Sequence, residues 1–455
     1  MAVTLHKQAN CGFVMLNSPP VNAINQKMRE DLIDAVTWAE SEGLERVILS
    51  GMGRSFAAGA DTKEFDQPAI SPHLPDVVNR IETSTVPWIA AIHGTALGGG
   101  GELALGCRYR IARADATIGF PEVILGLVPG AGATQRLPRL VGLAEALKLI
   151  PTGKTISGKA AMAIGLVNAI DDDPVAAAKL IDQKILSEAV PLSLMKAGTD
   201  KTVNYDTARQ LAIRRMRGQE APLTAISLLE TAQTATFDDG MQKERNAFLA
   251  LRASPQARAL RHIFFAERAA KKPPKAIETQ KSTLKPLNHV IVIGGGTMGS
   301  GIAYAFLNAN IRVTILESDD AGMQRANTAI DTIISASLAS GHIDPQAATD
   351  RRNLLKVMMI QPDSDAGKRR NDDLTNVDLV IEAVFEDLAI KKEILQAIEP
   401  ALDPNAIIAT NTSYLDVNKL AACLDNPSRF VGLHFFAPAH IMKLLEIVKG
   451  SETSP

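Results

Sequence analysis

Two glutamates stand in surroundings suited to paired acid–base chemistry. Glu102 follows four consecutive glycines, Gly98 to Gly101, in the stretch HGTALGGGGELALGC from His93 to Cys107. Glu122 follows Pro121 in GFPEVILGLVPGAG, Gly119 to Gly132. Apolar, glycine-punctuated surroundings bury a carboxyl, and burial separates the pKa values of neighbouring carboxyls, which suits one to be an acid and the other a base. Glycine lets a backbone approach a ligand closely and adopt angles that other residues avoid. A peptide N–H at a helix start is a ready donor for a developing negative charge. The same residues also fit a plainer arrangement, in which Glu102 caps its own helix and Glu122 lies in a solvated loop.

The elements that must position these groups can be read around them. Pro87 to Ile92 is a short apolar run that predicts a buried strand, and the glycines lead from it into a helix opening at Glu102. A third segment, RSFAAGADTKEF (Arg54 to Phe65), follows the strand-like Val47 to Gly51. Its small-residue turn predicts a helix with Asp61 near its start, and so further backbone donors.

In this order and at this spacing, the three segments resemble the enoyl-CoA hydratase (crotonase) family. PPVNA (Pro19 to Ala23) and GAGATQRLPRLVG (Gly130 to Gly142) carry the likeness further. The resemblance implies that the N–H groups of Ala60 and Gly99 form an oxyanion hole for a thioester oxygen. It implies that Glu102 and Glu122 are the two catalytic carboxylates. Adding water to a 2-enoyl thioester creates an enolate-like oxyanion, and an aimed donor in comparable sites is worth roughly 3 kcal/mol. One Glu would activate the water while the other supplies the α-proton. Family members lacking one of these glutamates usually run other reactions, so the presence of both favours hydration.

The chain has 455 residues, enough for several domains with their own cores. A net charge of −2 with 22% charged residues gives no polyanion-binding surface, so no nucleic-acid partner is expected. Cys11, Cys107 and Cys423 are far apart, have no metal-ligand spacing and point to a reducing compartment. No metal is expected. No apolar run reaches about 18 residues, so no membrane span is expected. The N-terminus reads as a first strand and lacks the basic-then-apolar order of a signal peptide.

Residues 1–190 alternate short β-like runs (Gly12 to Leu16, Val47 to Ser50, Trp88 to Ile92, Tyr109 to Ala112, Leu166 to Ile170) with helical stretches such as Gln26 to Glu42. This is the pattern of an α/β domain. The crotonase resemblance adds that the repeats wind into a spiral of ββα turns. From 191 to 270 the strands disappear, and helices such as Asp206 to Arg217 and Leu223 to Thr234 are expected to pack back on the spiral. Residues 271–286 hold five lysines, three prolines and one acidic residue, a composition that predicts a linker. A helix end with a basic skirt would read the same way.

A second domain begins at 287. HVIVIGGGTMGSGIAYAFLNAN predicts a strand, then G-x-G-x-x-G as Gly294, Gly296 and Gly299, then a helix. The next strand, Arg312 to Leu316, ends at Glu317. Strand, glycines, helix and a following acid make a Rossmann dinucleotide-binding fingerprint, with the pyrophosphate at the helix start and Glu317 on the adenosine ribose. An acid there repels a 2′-phosphate and favours NAD over NADP.

Three later segments, Asp378 to Ile394, Ile407 to Val417 and Val431 to Val448, resemble the 3-hydroxyacyl-CoA dehydrogenase family. The resemblance implies that Met298, Val384 to Glu386 and Lys391 lie along the cofactor and that Ser413 touches cofactor and substrate. It implies that His434 is the catalytic base and that Glu446 holds and polarises it. Histidine titrates near neutrality, and a carboxylate fixes its tautomer. Two features depart from the family pattern. Ala437 stands where the family commonly has an Asn that contacts the cofactor. The chain also reaches only Pro455, short of the helical domain that completes the acyl-CoA site in the family, so its dehydrogenase part is expected to turn over poorly.

The combination resembles the multifunctional enzymes of fatty-acid β-oxidation, of peroxisomal type and their bacterial relatives. That implies enoyl-CoA and 3-hydroxyacyl-CoA as substrates, coenzyme A as part of the substrate, and NAD as cofactor. It implies a cytoplasmic bacterial location or a peroxisomal eukaryotic one, and a monomer or dimer. Isomerisation of 3-enoyl-CoA through Glu122 is the secondary activity expected. A crotonase-fold isomerase without hydration, or a non-catalytic acyl-CoA and NAD-binding module, are the alternatives. An acyl pocket lined by Thr62 to Ser71 and the helices after 190 is expected.

Overall fold

The computed structural model describes residues 2–68, 70–198, 203–272, 286–360 and 376–454. Two compact units divide the chain after Lys272. The predicted linker therefore begins at the end of the first unit, and its residues 273–285 lie outside the described residues.

In the first unit, strands β1 (Val3–Gln8), β2 (Cys11–Leu16), β3 (Arg46–Gly51), β4 (Trp88–Ile92), β6 (Tyr109–Ala112) and β9 (Ala169–Ile170) form one sheet in the order β1-β2-β3-β4-β6-β9. From β2 onward all pairs are parallel, and β1 closes one edge antiparallel. Strands β5 (Thr95–Leu97), β7 (Thr117–Gly119) and β8 (Thr155–Ser157) form a second, smaller sheet. Strand β4 passes through two residues into β5, and β6 passes through a short turn into β7. After β3, Ala57 bridges to Ala96 of β5 in the same way. The β4–β5 and β6–β7 turns thus give one strand to each sheet before the next helix, the pattern of a ββα spiral. The WIAAI of β4 is buried throughout, as expected for a parallel strand covered on both faces.

Helix Gln26–Ser41 buries Met28, Leu32, Ala35, Val36 and Ala39, a stripe at helical spacing, and Asn25 Oδ1 caps it from the Met28 N–H at 3.0 Å. The later helices Phe237–Ala253 and Pro255–Ala270 fold back over the spiral. Phe248 packs against Gly130, and the Arg252 guanidinium donates to the carbonyls of Glu64 at 2.9 Å and Phe65 at 2.8 Å. Arg261 pairs with Asp66 at 2.7 Å.

The second unit is a seven-stranded sheet in the order β12 (Leu355–Met359), β11 (Arg312–Glu317), β10 (His289–Ile293), β13 (Leu379–Glu382), β14 (Ile407–Thr410), β15 (Phe430–Phe435), β16 (Leu445–Val448). Its pairs are parallel except β15 with β16. The chain order reverses between β10 and β13. In such sheets ligands bind outside the carboxyl ends of the strands at that reversal.

Several elements differ from their sequence reading. The first strand is a hairpin, since Ala9 takes a positive φ of 51° and turns β1 back on β2. The helix expected after Asp61 is one 3-10 turn, Thr62–Glu64, capped by Asp61. The helix before Cys107 begins at Gly99, so Glu102 lies in its first turn rather than opening it. The strand expected over Leu166 to Ile170 shrinks to Ala169–Ile170.

Arg136 (fully buried) donates to Glu82 Oε2 at 2.7 Å, to Asn79 Oδ1 at 2.6 Å and to the Ala131 carbonyl at 3.0 Å. Removing one partner of such a pair leaves the other charge buried and alone, which costs about 3–5 kcal/mol. Arg136→Met is expected to lose stability of that size in chemical denaturation of the first unit, whereas Lys7→Met, which breaks the exposed pair with Glu42, should leave it within about 0.5 kcal/mol.

Candidate active site

The glycines after β5 exist to bring two carboxyls and two backbone donors together. Gly98 has φ 53° and ψ −123°, and a Cβ there would stand 2.9 Å from Glu122 Oε1. A Cβ on Gly100 would fall 2.2 Å from the Ala57 carbonyl oxygen. Only glycine permits these approaches.

Glu102 is 3% exposed and its Oε1 accepts the N–H groups of Ala131 at 2.8 Å and Ala133 at 3.1 Å. Burial raises its pKa, and the two peptide donors together with Arg136 work in the opposite direction. Glu122 sits on the 3-10 turn Pro121–Leu125, begun by Pro121 and ended by Gly126 in a left-handed conformation. Its Oε2 is buried with no hydrogen-bond partner. Burial first, and then the charge of Glu102, push its pKa well above the carboxyl range. One carboxyl therefore has donors that favour its charge, and the other has burial and a like charge that both favour its protonated form.

Ala60 lies in a parallel bridge with Ile24. Ile24 bonds the Gly59 carbonyl at 2.9 Å and the Asp61 N–H at 3.0 Å, so the N–H of Ala60 itself is turned the other way. Gly99 opens its helix, where the first N–H groups have no intrahelical acceptor. A Cβ built on Gly99 would lie 3.5 Å from the Ala60 nitrogen, so the two donors border one gap. Ala60, Gly99, Glu102 and Glu122 line a single cleft of about 910 Å3. Its walls include Thr62, Phe65, Ile70, Phe248 and Phe264. These come from the two regions expected to form the acyl pocket.

In the second unit, Gly294 takes φ 91° and Gly296 caps the helix Thr297–Asn308. A Cβ on Gly299 would meet the Gly294 carbonyl oxygen at 1.7 Å, whereas one on Gly296 would meet nothing within 4 Å. The first closeness is helix–strand packing. The second is open space at a helix start, which fits a pyrophosphate. Met298 lies in the first turn of this helix. Glu317, at the end of β11, accepts the Gly295 N–H at 2.5 Å and so borders the same turn. Val384, after β13, packs against Gly294 across the reversal point.

Glu386 accepts the Thr412 hydroxyl at 2.5 Å and the Ser413 N–H at 2.8 Å, and pairs with Lys391 at 3.2 Å. Burial opposes its charge, but these donors, Thr412 foremost, hold its pKa below the usual range. Lys391, expected to lie along the cofactor, reaches Glu386 from the interior. It is fully buried, with its ammonium on Glu382 at 2.8 and 2.9 Å and on the Asn411 carbonyl at 3.3 Å. From that buried position it holds Glu386. Ser413 is exposed beside that carboxylate.

His434 on β15 and Glu446 on β16 are direct cross-strand partners, with Nδ1 and Oε2 2.7 Å apart. Asn411 Oδ1 accepts the Phe435 N–H at 2.9 Å, next to His434. Ala437 is exposed beyond them. The structure thus gathers Ala60, Gly99, Glu102 and Glu122 in the first unit. In the second it sets the glycine turn with Glu317 and Val384, the Glu386–Lys391–Ser413 cluster, and His434 near the carboxyl ends of neighbouring parallel strands, with Glu446 reaching His434 from the start of the antiparallel β16. Asn411 and Glu244, the latter a fully buried carboxyl near Glu102, went unnoticed in the sequence. Neither has a spacing that distinguishes it from a surface polar residue. Among the described residues no group of three or more His, Cys, Asp or Glu could hold a metal, and no helix is long and apolar enough to cross a membrane.

A paired-carboxyl cleft on a ββα spiral, followed in the chain by a Rossmann domain, is the class these features define. Residues 6–245 match the enoyl-CoA hydratase/isomerase family, and residues 289–455 match the NAD-binding domain of 3-hydroxyacyl-CoA dehydrogenase. The chain belongs to the enoyl-CoA hydratase/isomerase family and carries a NAD-binding domain. It is 37% identical to the peroxisomal bifunctional enzyme of Cavia porcellus over 469 residues, covering 100% of this chain and 63% of that protein. It is 36% identical to the peroxisomal bifunctional enzyme of Homo sapiens (97% and 61% covered) and 33% identical to the fatty acid oxidation complex subunit alpha of Shewanella baltica (94% and 62% covered). The chain therefore spans a little over three-fifths of these relatives, as the 61% to 63% coverage states.

Two outcomes follow from this geometry. Glu317→Ala should weaken NADH binding, read by nucleotide fluorescence, by about tenfold or more, the loss of a charged hydrogen bond. Glu122→Gln should raise the melting temperature of the first unit, with a gain that grows as pH rises. The sign follows from linkage: a carboxyl whose folded pKa is raised binds extra protons in the folded state, so its stability contribution is lost as pH rises through that pKa.

Proposed function

We propose that the first unit hydrates 2-trans-enoyl-CoA by syn addition, giving 3-hydroxyacyl-CoA, as a step of fatty-acid β-oxidation. The observation that carries this reading is the unequal pair on one cleft: Glu102 with two peptide donors, and Glu122 with a buried oxygen that has none. The thioester oxygen accepts the Ala60 and Gly99 N–H groups, which favour the enolate more than the ground-state carbonyl. Ionised Glu102 takes a proton from water as the water oxygen bonds to C3. Protonated Glu122 gives its proton to C2. Proton exchange between the carboxyls and solvent resets the pair.

The second unit is read as the part that oxidises the 3-hydroxyacyl product. NAD, when bound, supplies the hydride acceptor. Gly294, Gly296, Met298, Gly299 and Glu317 would hold its pyrophosphate and ribose, and Val384, Glu386 and Ser413 would border it, with Lys391 anchoring Glu386 from below. His434 takes the hydroxyl proton, and Glu446 fixes its tautomer and stabilises the imidazolium. The likeness to peroxisomal and bacterial relatives supports acyl-CoA substrates and a cytoplasmic bacterial or peroxisomal location. We assign a monomer or dimer. The unpartnered oxygen of Glu122 also suits it to carry a proton between C4 and C2 of a 3-enoyl-CoA, a secondary isomerase activity.

Loss of enoyl-thioester absorbance from a short 2-enoyl-CoA tests the assignment, with NADH followed in parallel. Glu102→Gln should lower hydration on the order of a hundredfold or more while isomerisation partly survives. Activity against pH should be bell-shaped. It falls at low pH as Glu102 protonates and at high pH as Glu122 ionises. No enoyl loss by the wild type would remove the hydratase assignment.

A further inference from the structure

Glu244 is the one fully buried carboxyl near the cleft, among the described residues, to which the proposed chemistry gives no part. It lies on the helix Phe237–Ala253 and does not line the cleft. Its Oε1 accepts the Gly132 N–H at 2.6 Å, and its Oε2 accepts the Thr134 N–H at 2.9 Å and the Thr134 hydroxyl at 2.5 Å. The hydroxyl in turn accepts from the Gln135 amide at 3.0 Å, which leaves its proton for Glu244.

The neighbours in the same segment go to Glu102. Peptide N–H groups 131 and 133 bond Glu102, and 132 and 134 bond Glu244. Successive peptide groups of an open segment face opposite ways, so fixing one set aims the other. Gly132, with φ 106°, allows the segment to run into the helix Ala133–Val141 with both sets in place. Arg136 holds the Ala131 carbonyl and completes the clamp.

We propose that Glu244 is a positioning residue of the hydration site: it grips Gly132 and Thr134 from the side away from the cleft and so aims the Ala131 and Ala133 N–H groups at Glu102. This rests on the hydratase reading. Without the grip the segment can rotate, Glu102 loses the donors that favour its charge, and its basicity shifts. The charged groups facing this region are Glu122 from the 3-10 turn, Arg136 with its partner Glu82, and Arg245 beside Glu244. Burial and the charge of Glu102 push the Glu244 carboxyl up to about 8 against its three donors, so substitutions there are best compared at fixed charge.

Glu244→Asp keeps the carboxyl but withdraws it by one methylene, too far to reach both peptide groups. The expected result is a fall in kcat for a short 2-enoyl-CoA on the order of tenfold to a hundredfold, with KM changed by less than about threefold. The acid limb of the pH profile should move to higher pH, because Glu102 loses donors. A variant that folds and melts lower, yet keeps wild-type kcat and acid limb, would show a structural brace only and overturn the proposal. If Glu244→Asp does not fold, Glu244→Gln, of equal size, is read for kcat against KM in the same way. If the wild type does not hydrate enoyl-CoA, the hydratase reading fails by itself. The clamp is then judged from the pH titration of the Glu102 carboxyl stretch in infrared difference spectra, identified with Glu102→Gln. A titration displaced upward in Glu244→Asp sustains the clamp, and an unmoved one removes it.

Discussion

Everything at the first site depends on burying carboxyls beside a limited supply of backbone donors. Glu102, Glu122 and Glu244 are all enclosed around the segment that begins the helix Ala133–Val141. A helix start favours a nearby anion by roughly 0.3–1 kcal/mol, up to about 2 when partly buried. A hydrogen bond to a charged group adds about 1.5–3 kcal/mol, and one pKa unit corresponds to about 1.4 kcal/mol. Two donors on one carboxyl and none on the buried oxygen of another therefore push the two in different measure: donors counter the effect of burial at Glu102, while burial and the Glu102 charge together raise Glu122. That difference is what lets equal residue types play unequal roles. Burial raises all three carboxyls, and the charge of Glu102 raises the other two further, so stability is spent on a reactive arrangement.

Close approach is the second requirement, and glycine meets it. The backbone after β5 passes so near Ala57 and Glu122 that a methyl group at Gly100 or Gly98 would collide. The spiral supplies the rigidity. The β4–β5 and β6–β7 turns each add a strand to both sheets, and the helices that follow bolt the 3-10 turn Thr62–Glu64 to the helix Phe237–Ala253 through Arg252.

The second unit solves a similar problem with an ion network. Lys391 lies wholly under the sheet ends and ties Glu382 to Glu386, while Asn411 ties β14 to the strand carrying His434. Glu386 then holds the buried Thr412 hydroxyl and the N–H of exposed Ser413. A buried ammonium is costly to desolvate unless paired on several sides. This one meets two carboxylates and a carbonyl, which makes it an anchor.

Much of this was legible in the residues. The alternation of apolar runs and helical stripes determined an α/β chain of two units, because strand and helix periods are local properties. The glycine runs before Glu102 and after β10 marked both turns of close backbone approach, because only glycine allows it. What the sequence could not show is long-range partnership. The 131–134 segment is divided between carboxyls 29 to 112 positions away, and Lys391 is paired inside the domain with Glu382 and Glu386, which its spacing did not show. Ionisation depends on enclosure and on which donors arrive from distant elements. Sequence spacing named Glu102 and Glu122 as a pair. Only the packed structure decided which carboxyl has two peptide donors, which keeps a buried oxygen with none, and that a third stands behind them.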